Sequence, residues 1–312
     1  MRPAVSVIVL VYGVEEYIEK CARSLFGQTM EDLEFIIVDD CTPDRSMEIL
    51  YSVLEDYPRR KDQVKVIHNE VNRGQAFSRR VGVEAAAGEY IIHCDSDDWI
   101  DPDMYSKMYS KAKEENLDVV ICQRGIEGNG AQRFQEDVME VEDVLGVVIK
   151  GEISPGLCNK LVTRRAYEKG IVFPKLNMYE DYAITIQLLC ECKSAGFIYE
   201  PLYHYLMRAD SICHKISNDS MTLYFKEQLE LAISCLEARG LADKYNNEIL
   251  YAKVTVKSNA LPFPRKEYLD FFPELNLVQL FSKDVPFGKR LGHLTHLLGI
   301  HGISKVFRRK KV

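Results

Sequence analysis

The 312-residue sequence lacks any apolar run long enough to cross a membrane. No segment approaches about 18 uninterrupted apolar residues, and the apolar stretch from Val5 to Tyr12 is far shorter. A basic excess is lacking too, because the formal net charge is −7, which argues against a nucleic-acid-binding protein of the usual basic kind. We therefore expect a cytoplasmic protein with no membrane-spanning segment and no nucleic-acid partner.

Cysteine pairs at the spacing of a zinc site are also lacking. The nine cysteines are scattered, and the closest two, Cys190 and Cys192, have no second pair. A scattered set of odd number is typical of free thiols in a reducing compartment. Cys190 and Cys192 lie within an apolar helical pattern, so we interpret them as core residues and not as metal ligands.

The charge that is present is unevenly distributed. From Lys283 to the end, eight Lys or Arg accompany one acid, Asp284, so this basic tail carries +7 and the remainder −14. Leucines lie among the cations, so the tail could make peripheral contact with an anionic membrane surface. A solvated, partly disordered tail is at least an equal alternative, because four glycines weaken any helix there: Gly288, Gly292, Gly299 and Gly302.

Apolar and amphipathic segments alternate over the first 124 residues. Apolar runs rich in β-branched residues, near residues 5–12, 33–38, 64–68, 89–94 and 118–123, predict buried strands. The segments between them have helical spacing of apolar residues. Strands that alternate with helices at this spacing predict βαβ units, and hence an α/β protein with helices on both faces of a doubly wound, mostly parallel sheet.

The pattern changes after residue 124. Residues 125–136 are rich in Gly and Gln and predict a loop. Glu180 and Asp181 predict the acidic start of a helix, and the spacing from Asn218 to Gly240 predicts a long helix. We find no internal repeat and no low-complexity segment, so we expect a mainly helical C-terminal region.

Polar side chains follow the predicted strands at the point where each strand ends. They are Tyr12, the pair Asp39-Asp40, Asn69 and the acidic run from Asp95 to Asp98. Functional groups in such sheets gather at the carboxyl ends of the strands. We therefore expect these side chains to share one edge of the sheet.

The acidic run places three carboxylates, Asp95, Asp97 and Asp98, within four positions. Alternation along an extended segment would put Asp95 and Asp97 on one side. Such close like charges repel each other unless a cation lies between them, and Mg²⁺ or Mn²⁺ takes oxygen ligands of this kind. On this stretch alone, a solvated acidic turn that caps the following helix is an equal alternative.

Short motifs follow one another in a specific order between residues 3 and 215. In chain order they are Val5 to Val9 with Tyr12, Ser24 to Thr29, Val38 to Asp44, Asn72 to Gly74 with Ser78-Arg79 and Gly82, Gly88 to Trp99, Glu180-Asp181, and Pro201 to Tyr205 with Arg208 and Ser211. In this order and spacing they resemble the motifs of the family 2 glycosyltransferases, which have a GT-A fold. Three positions depart from the family pattern: Gly13 replaces Asn, Cys41 replaces Gly, and Arg80 replaces Asn.

The resemblance implies an inverting, metal-dependent enzyme of the hexosyltransferase type. It would move a sugar from a nucleotide-diphosphate donor, a UDP-sugar, to a hydroxyl of a glycan or lipid-linked glycan in bacterial surface polysaccharide synthesis. The implied domains are a GT-A domain over 1–215, with a nucleotide-binding half (1–124) and an acceptor half (125–215). A helical extension with the basic tail follows over 216–312.

The resemblance also implies roles on the donor side. Asp97 and Asp95 would hold Mn²⁺ or Mg²⁺, while Asp95 and Asp98 would also contact the nucleotide sugar. Asp40 would accept the N3–H of uracil, with Tyr12 beside the base. Arg73 would contact the donor. Each of these side chains could instead have a role without donor contact: a helix cap for Asp40, packing for Tyr12 and a solvated side chain for Arg73.

On the acceptor side, inversion requires one general base. The resemblance assigns this role to Asp181, with Glu180 as the second choice. Successive helical residues point about 100° apart, so only one of the two can face the reacting carbon. A first-turn carboxylate is also favoured by the helix dipole, and that role is compatible with catalysis.

Two other functions are alternatives at this stage. A nucleotidyltransferase would be expected to carry a Gly-rich, basic phosphate loop after the first strand, where the segment from Tyr12 to Glu16 is acidic. A non-catalytic nucleotide-sugar-binding protein would keep the donor site without transferring sugar.

Overall fold

A computed structural model describes residues 2–128, 131–135, 142–208, 216–281, 283 and 285–300. The chain divides into two compact units, residues 1–145 with 152–209 and residues 146–151 with 210–312. Ser211 and the basic tail beyond residue 300 lie outside the described residues. Within the described ranges, no helix is both long and apolar enough to span a bilayer.

The first unit is built on one sheet, which has nine strands in the part of the chain described. The strands are β1 Val5–Val11, β2 Leu33–Asp39, β3 Val64–His68, β4 Tyr90–Asp95, β5 Trp99–Ile100, β6 Val119–Gly128, β7 Ala131–Gln135, β8 Lys160–Thr163 and β9 Ala195–Leu206. Their order is β3-β2-β1-β4-β8-β6-β9-β5, and β7 pairs with β6. The half formed by β3, β2, β1 and β4 is parallel, as predicted.

The other half of the sheet is mixed. Strand β8 runs antiparallel to both β4 and β6, and β5 runs antiparallel to β9. Strand β9 pairs in parallel with β6 across an irregularity around Gln123. The predicted loop over 125–136 is wrong, because β6 and β7 pair antiparallel from Arg124–Gln135 to Gly128–Ala131. The dipeptide Asn129-Gly130 between them is a strong hairpin signal that the composition concealed.

Helices cover both faces of the parallel half. The α-helices in the described residues are α1 Ile18–Phe26, α2 Ser46–Glu55, α3 Gln75–Ala85, α4 Met104–Glu114, α5 Val144–Lys150, α6 Arg164–Tyr167, α7 Glu180–Cys190, α8 Asn218–Ala238, α9 Asn246–Asn259, α10 Arg265–Asp270, α11 Val278–Phe281 and α12 Phe287–Leu298. Alternate residues of β1 pack on opposite faces. Val7 and Val9 join the core under α1 and α2, while Ile8 meets α3.

The close approach of α3 to the sheet depends on Gly82. A Cβ at this position would lie 2.5 Å from Cγ2 of Ile8, so only glycine fits there without a shift. The predicted α/β architecture with helices on both faces is therefore confirmed, and so is the helical C-terminal region. In that region α12 forms in spite of Gly288 and Gly292. One face of this helix, which includes His293 and His296, is buried in the second unit and stabilises it.

Candidate active site

The strand ends predicted to share an edge do so. The register pairs Val11 of β1 with Asp39 of β2, and Leu10 with Asp95 of β4. Tyr12 follows directly after β1 and is 48% exposed. This edge of the sheet is the candidate site.

Two departures from the family pattern have one backbone explanation. Gly13 has φ +64°, and its N–H donates to Oγ1 of Thr42 at 2.9 Å, which joins the ends of β1 and β2. Asn, the family residue, is one of the few others that tolerate this left-handed conformation. Cys41 also has φ +58° where the family has glycine. Both substitutions therefore keep the conformation of the turn, at a backbone cost for Cys41.

Asp40 organises the loop after β3. Its side chain is buried, and its two oxygens accept N–H groups from the side chain of Asn69 and the backbones of Arg73 and Gly74, each at 2.8 Å. An ionised carboxylate offers about four acceptor positions. Three are occupied, which leaves capacity for one more donor. These contacts differ from the alternative considered for Asp40, a side-chain cap of the following helix, because the N-cap residue of that helix, α2, is Arg45 and makes no side-chain cap hydrogen bond.

Gly74 lets this loop approach the segment before α7. It has φ +82°, and a Cβ there would lie 2.0 Å from Nδ2 of Asn177. Oδ1 of Asn177 in turn accepts the N–H of Ala76 at 3.1 Å, in the first turn of α3. Arg73 is exposed, with its guanidinium 4.2 Å from the ring centre of Phe77.

The acidic run forms a tight turn and not an extended segment. The N–H of Asp98 donates to the carbonyl of Asp95 at 3.1 Å, which closes a turn over the run. Asp97 is partly exposed and its Oδ2 lies 2.9 Å from Nε of Arg208. Burial raises the pKa of Asp95 to about 7, with Arg79 opposing the shift and Asp181 and Asp97 adding to it.

Asp98 points into the protein. It is 1% exposed, and it accepts the hydroxyl of Tyr203 at 2.6 Å and the N–H of Leu206 at 2.8 Å. Burial and the neighbouring aspartates raise its pKa well above the usual range. These contacts give Asp98 a role in holding β9 against the turn, and its predicted contact with the donor stays a prediction.

The acidic pair Glu180 and Asp181 shares one buried cation. Nη2 of Arg79, on α3, lies 3.3 Å from Oε1 of Glu180 and 3.2 Å from Oδ1 of Asp181. The two carboxylates raise the pKa of Arg79 against the opposing effect of burial. Burial and Asp181 raise the pKa of Glu180 to about 7. The residue before the pair, Tyr179, has a left-handed φ of +57°, a strained conformation that clusters at functional sites.

Arg79 is the functional candidate that residue-by-residue assignment overlooked. The signal was present, since Arg79 lies in the segment that resembles the family's Ala-Arg-Asn motif. The side chain is 3% exposed and acts electrostatically on Asp95 as well as on the acidic pair. It therefore links the acidic run after β4 to the start of α7.

A buried lysine fixes the loop beside Asp181. Nζ of Lys160 donates to the carbonyls of Ser154 and Gly156 at 2.7 and 2.8 Å. Within this loop the N–H of Leu157 lies 3.4 Å from Oδ2 of Asp181. Asp181 is therefore held by Arg79 on one side and by the N–H of Leu157 on the other. Its side chain is 27% exposed and still reaches solvent.

The chemistry of the site fits a hard divalent cation. In the described residues no cluster of three or more His, Cys, Asp or Glu is arranged as a ready metal site. Asp95 and Asp97 nonetheless offer the carboxylate oxygens that Mg²⁺ and Mn²⁺ prefer. Burial is the main cause of the raised pKa of Asp95, and Asp181 and Asp97 add a repulsion that a cation would relieve.

Comparisons with known proteins bear on this site. A family model described as Glycosyl transferase family 2 matches residues 6–170. A putative glycosyltransferase, EpsH, of Bacillus subtilis is 33% identical over 260 residues, which cover 79% of this chain and 71% of that protein. A poly(ribitol-phosphate) beta-glucosyltransferase of Bacillus spizizenii is 32% identical over 213 residues, 66% of this chain and 32% of that protein.

A solved structure has the same fold. It is S. aureus TarS 1-349 in complex with UDP-GlcNAc, which superposes with a TM-score of 0.64 at 20% identity over 96% of this chain and 92% of that one. At this identity the likeness concerns the fold.

Proposed function

The chain belongs to the family 2 glycosyltransferases, and from that premise we propose that it transfers a sugar from a UDP-sugar to a hydroxyl of a bacterial surface glycan with inversion. The observation that carries the proposal is the buried Arg79. It holds Asp181 at 3.2 Å and acts electrostatically on Asp95, so a base and a donor-side carboxylate belong to one charge network.

We propose that residues 1–124 bind the nucleotide. Asp40 has one acceptor position left for the N3–H of uracil, and the exposed ring of Tyr12 lies at the neighbouring strand end for the base to pack on. Arg73 is exposed on the loop that Asp40 orders, where it can reach a diphosphate. The complex of TarS with UDP-GlcNAc supports a uridine donor.

We propose that Asp95 and Asp97 hold the metal, Mn²⁺ or Mg²⁺. When bound, the metal supplies a positive charge that neutralises the diphosphate leaving group. The pairing of Asp97 with Arg208 puts a second cation beside the same position. Arg208 is thus placed to contact a phosphate oxygen of the donor.

Asp181 acts as the general base. Its carboxylate takes the proton of the acceptor hydroxyl while that oxygen bonds to the anomeric carbon. The bond from this carbon to the diphosphate breaks, and UDP leaves with the electron pair. Glu180 is less suited, because its side chain is 6% exposed against 27% for Asp181, so an acceptor reaches it less readily. Residues 125–215, which include Asp181, would bind the acceptor.

The name of one relative supports a class of acceptor. A relative of 32% identity is named as a poly(ribitol-phosphate) beta-glucosyltransferase, so a polymer hydroxyl is the first acceptor class to test. Free thiols at the eight described cysteines suit a cytoplasmic enzyme that uses a cytoplasmic donor.

The test combines donor binding with transfer. Thermal stability would be measured with UDP-glucose, UDP-GlcNAc, UDP-galactose and GDP-mannose, each with Mn²⁺ or with a chelator. A donor at about 100 times its Kd should stabilise the protein by about 2.7 kcal/mol. Asp97→Ala should lose the metal-dependent part of this gain. Asp181→Asn should retain it and lose transfer to the polymer acceptor.

A matched control separates catalysis from helix stability. Asp219 is also a first-turn carboxylate, on α8, so Asp219→Asn removes the same interaction with a helix dipole. It should leave transfer unchanged. Normal transfer by Asp181→Asn would refute the base assignment. Stabilisation by a donor without any hydrolysis or transfer would instead identify a non-catalytic nucleotide-sugar-binding protein.

A further inference from the structure

Helix α12 carries an exposed apolar stripe, formed by Phe287, Leu291, Leu294 and Leu298. These side chains are 81%, 49%, 38% and 63% exposed. Their spacing of four, three and four residues places them on one face of the helix. Twelve residues at about 1.5 Å each give this stripe a length of about 18 Å. An apolar patch of this kind marks an interaction surface.

The opposite face of α12 is anchored, so the helix cannot roll to bury the stripe. His293 and His296 are buried there, and the ring of Tyr268 stacks on His296 with 4.4 Å between ring centres. Nε and Nη2 of Arg265 donate to the carbonyls of His296 and Leu297 at 2.6 and 3.1 Å, which caps the helix. Burial lowers the pKa of His293 to about 4, so this side chain is neutral near pH 7.

The chain around the stripe is basic without exception. From Phe287 to Val312 the sequence has seven Lys or Arg and no Asp or Glu. Five of these cations follow residue 300: Lys305, Arg308, Arg309, Lys310 and Lys311. Each cation close to an anionic bilayer strengthens the attraction to it. A short apolar stripe and a basic segment are each a weak membrane signal, and stable attachment requires two signals together.

We propose that α12 docks its apolar stripe on an anionic lipid bilayer. The four apolar side chains enter the boundary between headgroups and acyl chains, and the adjacent cations contact lipid phosphates. A second copy of the chain fits this surface less well. A two-fold contact between stripes would bring two basic segments together, and their like charges would repel. The proposal is independent of the reaction assigned to the first unit.

The test is co-sedimentation of the full chain with lipid vesicles. Vesicles of phosphatidylcholine alone would be compared with vesicles that also contain phosphatidylglycerol. We expect binding to the anionic vesicles to exceed binding to the neutral ones by at least about tenfold. Raising the ionic strength from about 0.01 M to about 0.15 M shortens the Debye length from about 30 Å to about 8 Å and should weaken the binding.

Matched variants identify the surface. Leu291→Gln with Leu298→Gln removes two exposed leucines from the stripe and should reduce partitioning by about tenfold or more. The control is Val172→Thr with Tyr199→Thr, because these side chains are 50% and 55% exposed on the first unit. The control should bind vesicles as the wild type does. Both variants should keep wild-type far-ultraviolet circular dichroism and thermal stability.

Three results would overturn the proposal. The wild type could bind neutral and anionic vesicles equally or not at all. The stripe variant could bind as tightly as the wild type. Analytical ultracentrifugation could show a wild-type dimer that the stripe variant dissolves, in which case the stripe is an interface between copies. In a further variant, Arg308, Arg309, Lys310 and Lys311 are replaced with Gln. We expect this variant to bind anionic vesicles more weakly than the wild type and neutral vesicles equally well.

Discussion

Nη2 of Arg79 lies 3.2 Å from Oδ1 of Asp181, and the same nitrogen lies 3.3 Å from Oε1 of Glu180. One nitrogen of a buried guanidinium therefore orients two consecutive carboxylates at the start of α7. Arg79 and Glu180 are 101 positions apart in the sequence, so this is a tertiary contact that forms only when α3 and α7 are both in place.

Loss of Arg79 should impair both folding and transfer. Arg79→Met leaves the buried Glu180 and the partly exposed Asp181 without their cation, which should cost about 3–5 kcal/mol in the free energy of unfolding. The double variant Arg79→Met with Glu180→Gln should recover part of this stability, because one uncompensated charge is gone. Urea unfolding measures both.

Arg79→Lys separates position from charge. A lysine keeps the charge but not the planar fork, so Asp181 should shift. A displacement near 1 Å can cost about 10²-fold in rate, so kcat should fall while the KM for the donor stays near wild type. Unchanged kcat in a folded Arg79→Lys would show that Arg79 supplies charge alone.

The carboxylate of Asp95, a proposed metal ligand, should titrate near neutral pH. The folded pKa of Asp95, about 7, lies above its usual 3.8, so without metal the folded state holds a proton that the unfolded chain releases. The free energy of unfolding should therefore fall as the pH rises from about 4 to about 7, and level off above. Mn²⁺ requires the ionised carboxylate, so stabilisation by Mn²⁺ should grow over the same interval.

Calorimetry across this range, with and without Mn²⁺, checks the prediction. Asp95→Asn should reduce both pH dependences, whereas Asp62→Asn, at an exposed carboxylate, should change neither. Retention of the full Mn²⁺ effect in Asp95→Asn would exclude Asp95 as a ligand.

Gly74→Ala should disturb the loop after β3, which we propose contacts the donor. Gly74 and Gly170 both have φ +82°, but a Cβ at Gly74 meets Asn177 at 2.0 Å whereas a Cβ at Gly170 meets nothing within 4 Å. Both variants carry the left-handed penalty of about 1–2 kcal/mol. Only Gly74→Ala should cost more than this and raise the KM for the donor. Equal effects in thermal melts and donor titrations would show that the contact with Asn177 is dispensable.

Tyr203→Phe should destabilise the turn after β4. It removes the hydroxyl that Asp98 accepts at 2.6 Å and leaves a buried oxygen without that donor, at a cost of about 1–3 kcal/mol. Tyr105→Phe is the control, because in the described part of the chain the Tyr105 hydroxyl is buried without a hydrogen-bond partner. Its removal should be neutral or stabilising in urea unfolding. A similar loss in both variants would argue against the role of Asp98 in anchoring β9.

Periodicity alone predicted the parallel strands and the shared edge, because buried strands leave an uninterrupted apolar signal. It could not predict the direction of each carboxylate. Asp95, Asp97 and Asp98 are one residue type in one run, and the hydrogen bond that closes the turn sends Asp98 inward. The mixed half of the sheet was also beyond reach, since β8 and β9 pair with strands far away in the sequence.

The loop that Asp40 holds has a thermodynamic consequence for ligand recognition. Three N–H donors converge on one buried carboxylate, so the loop from Asn69 to Gly74 is already ordered before any nucleotide arrives. The conformational entropy of this segment is then lost on folding and not on association. If a nucleotide binds at this edge, the order of the loop backbone should change little on binding. The association rate should then be limited by diffusion and orientation and not by loop closure.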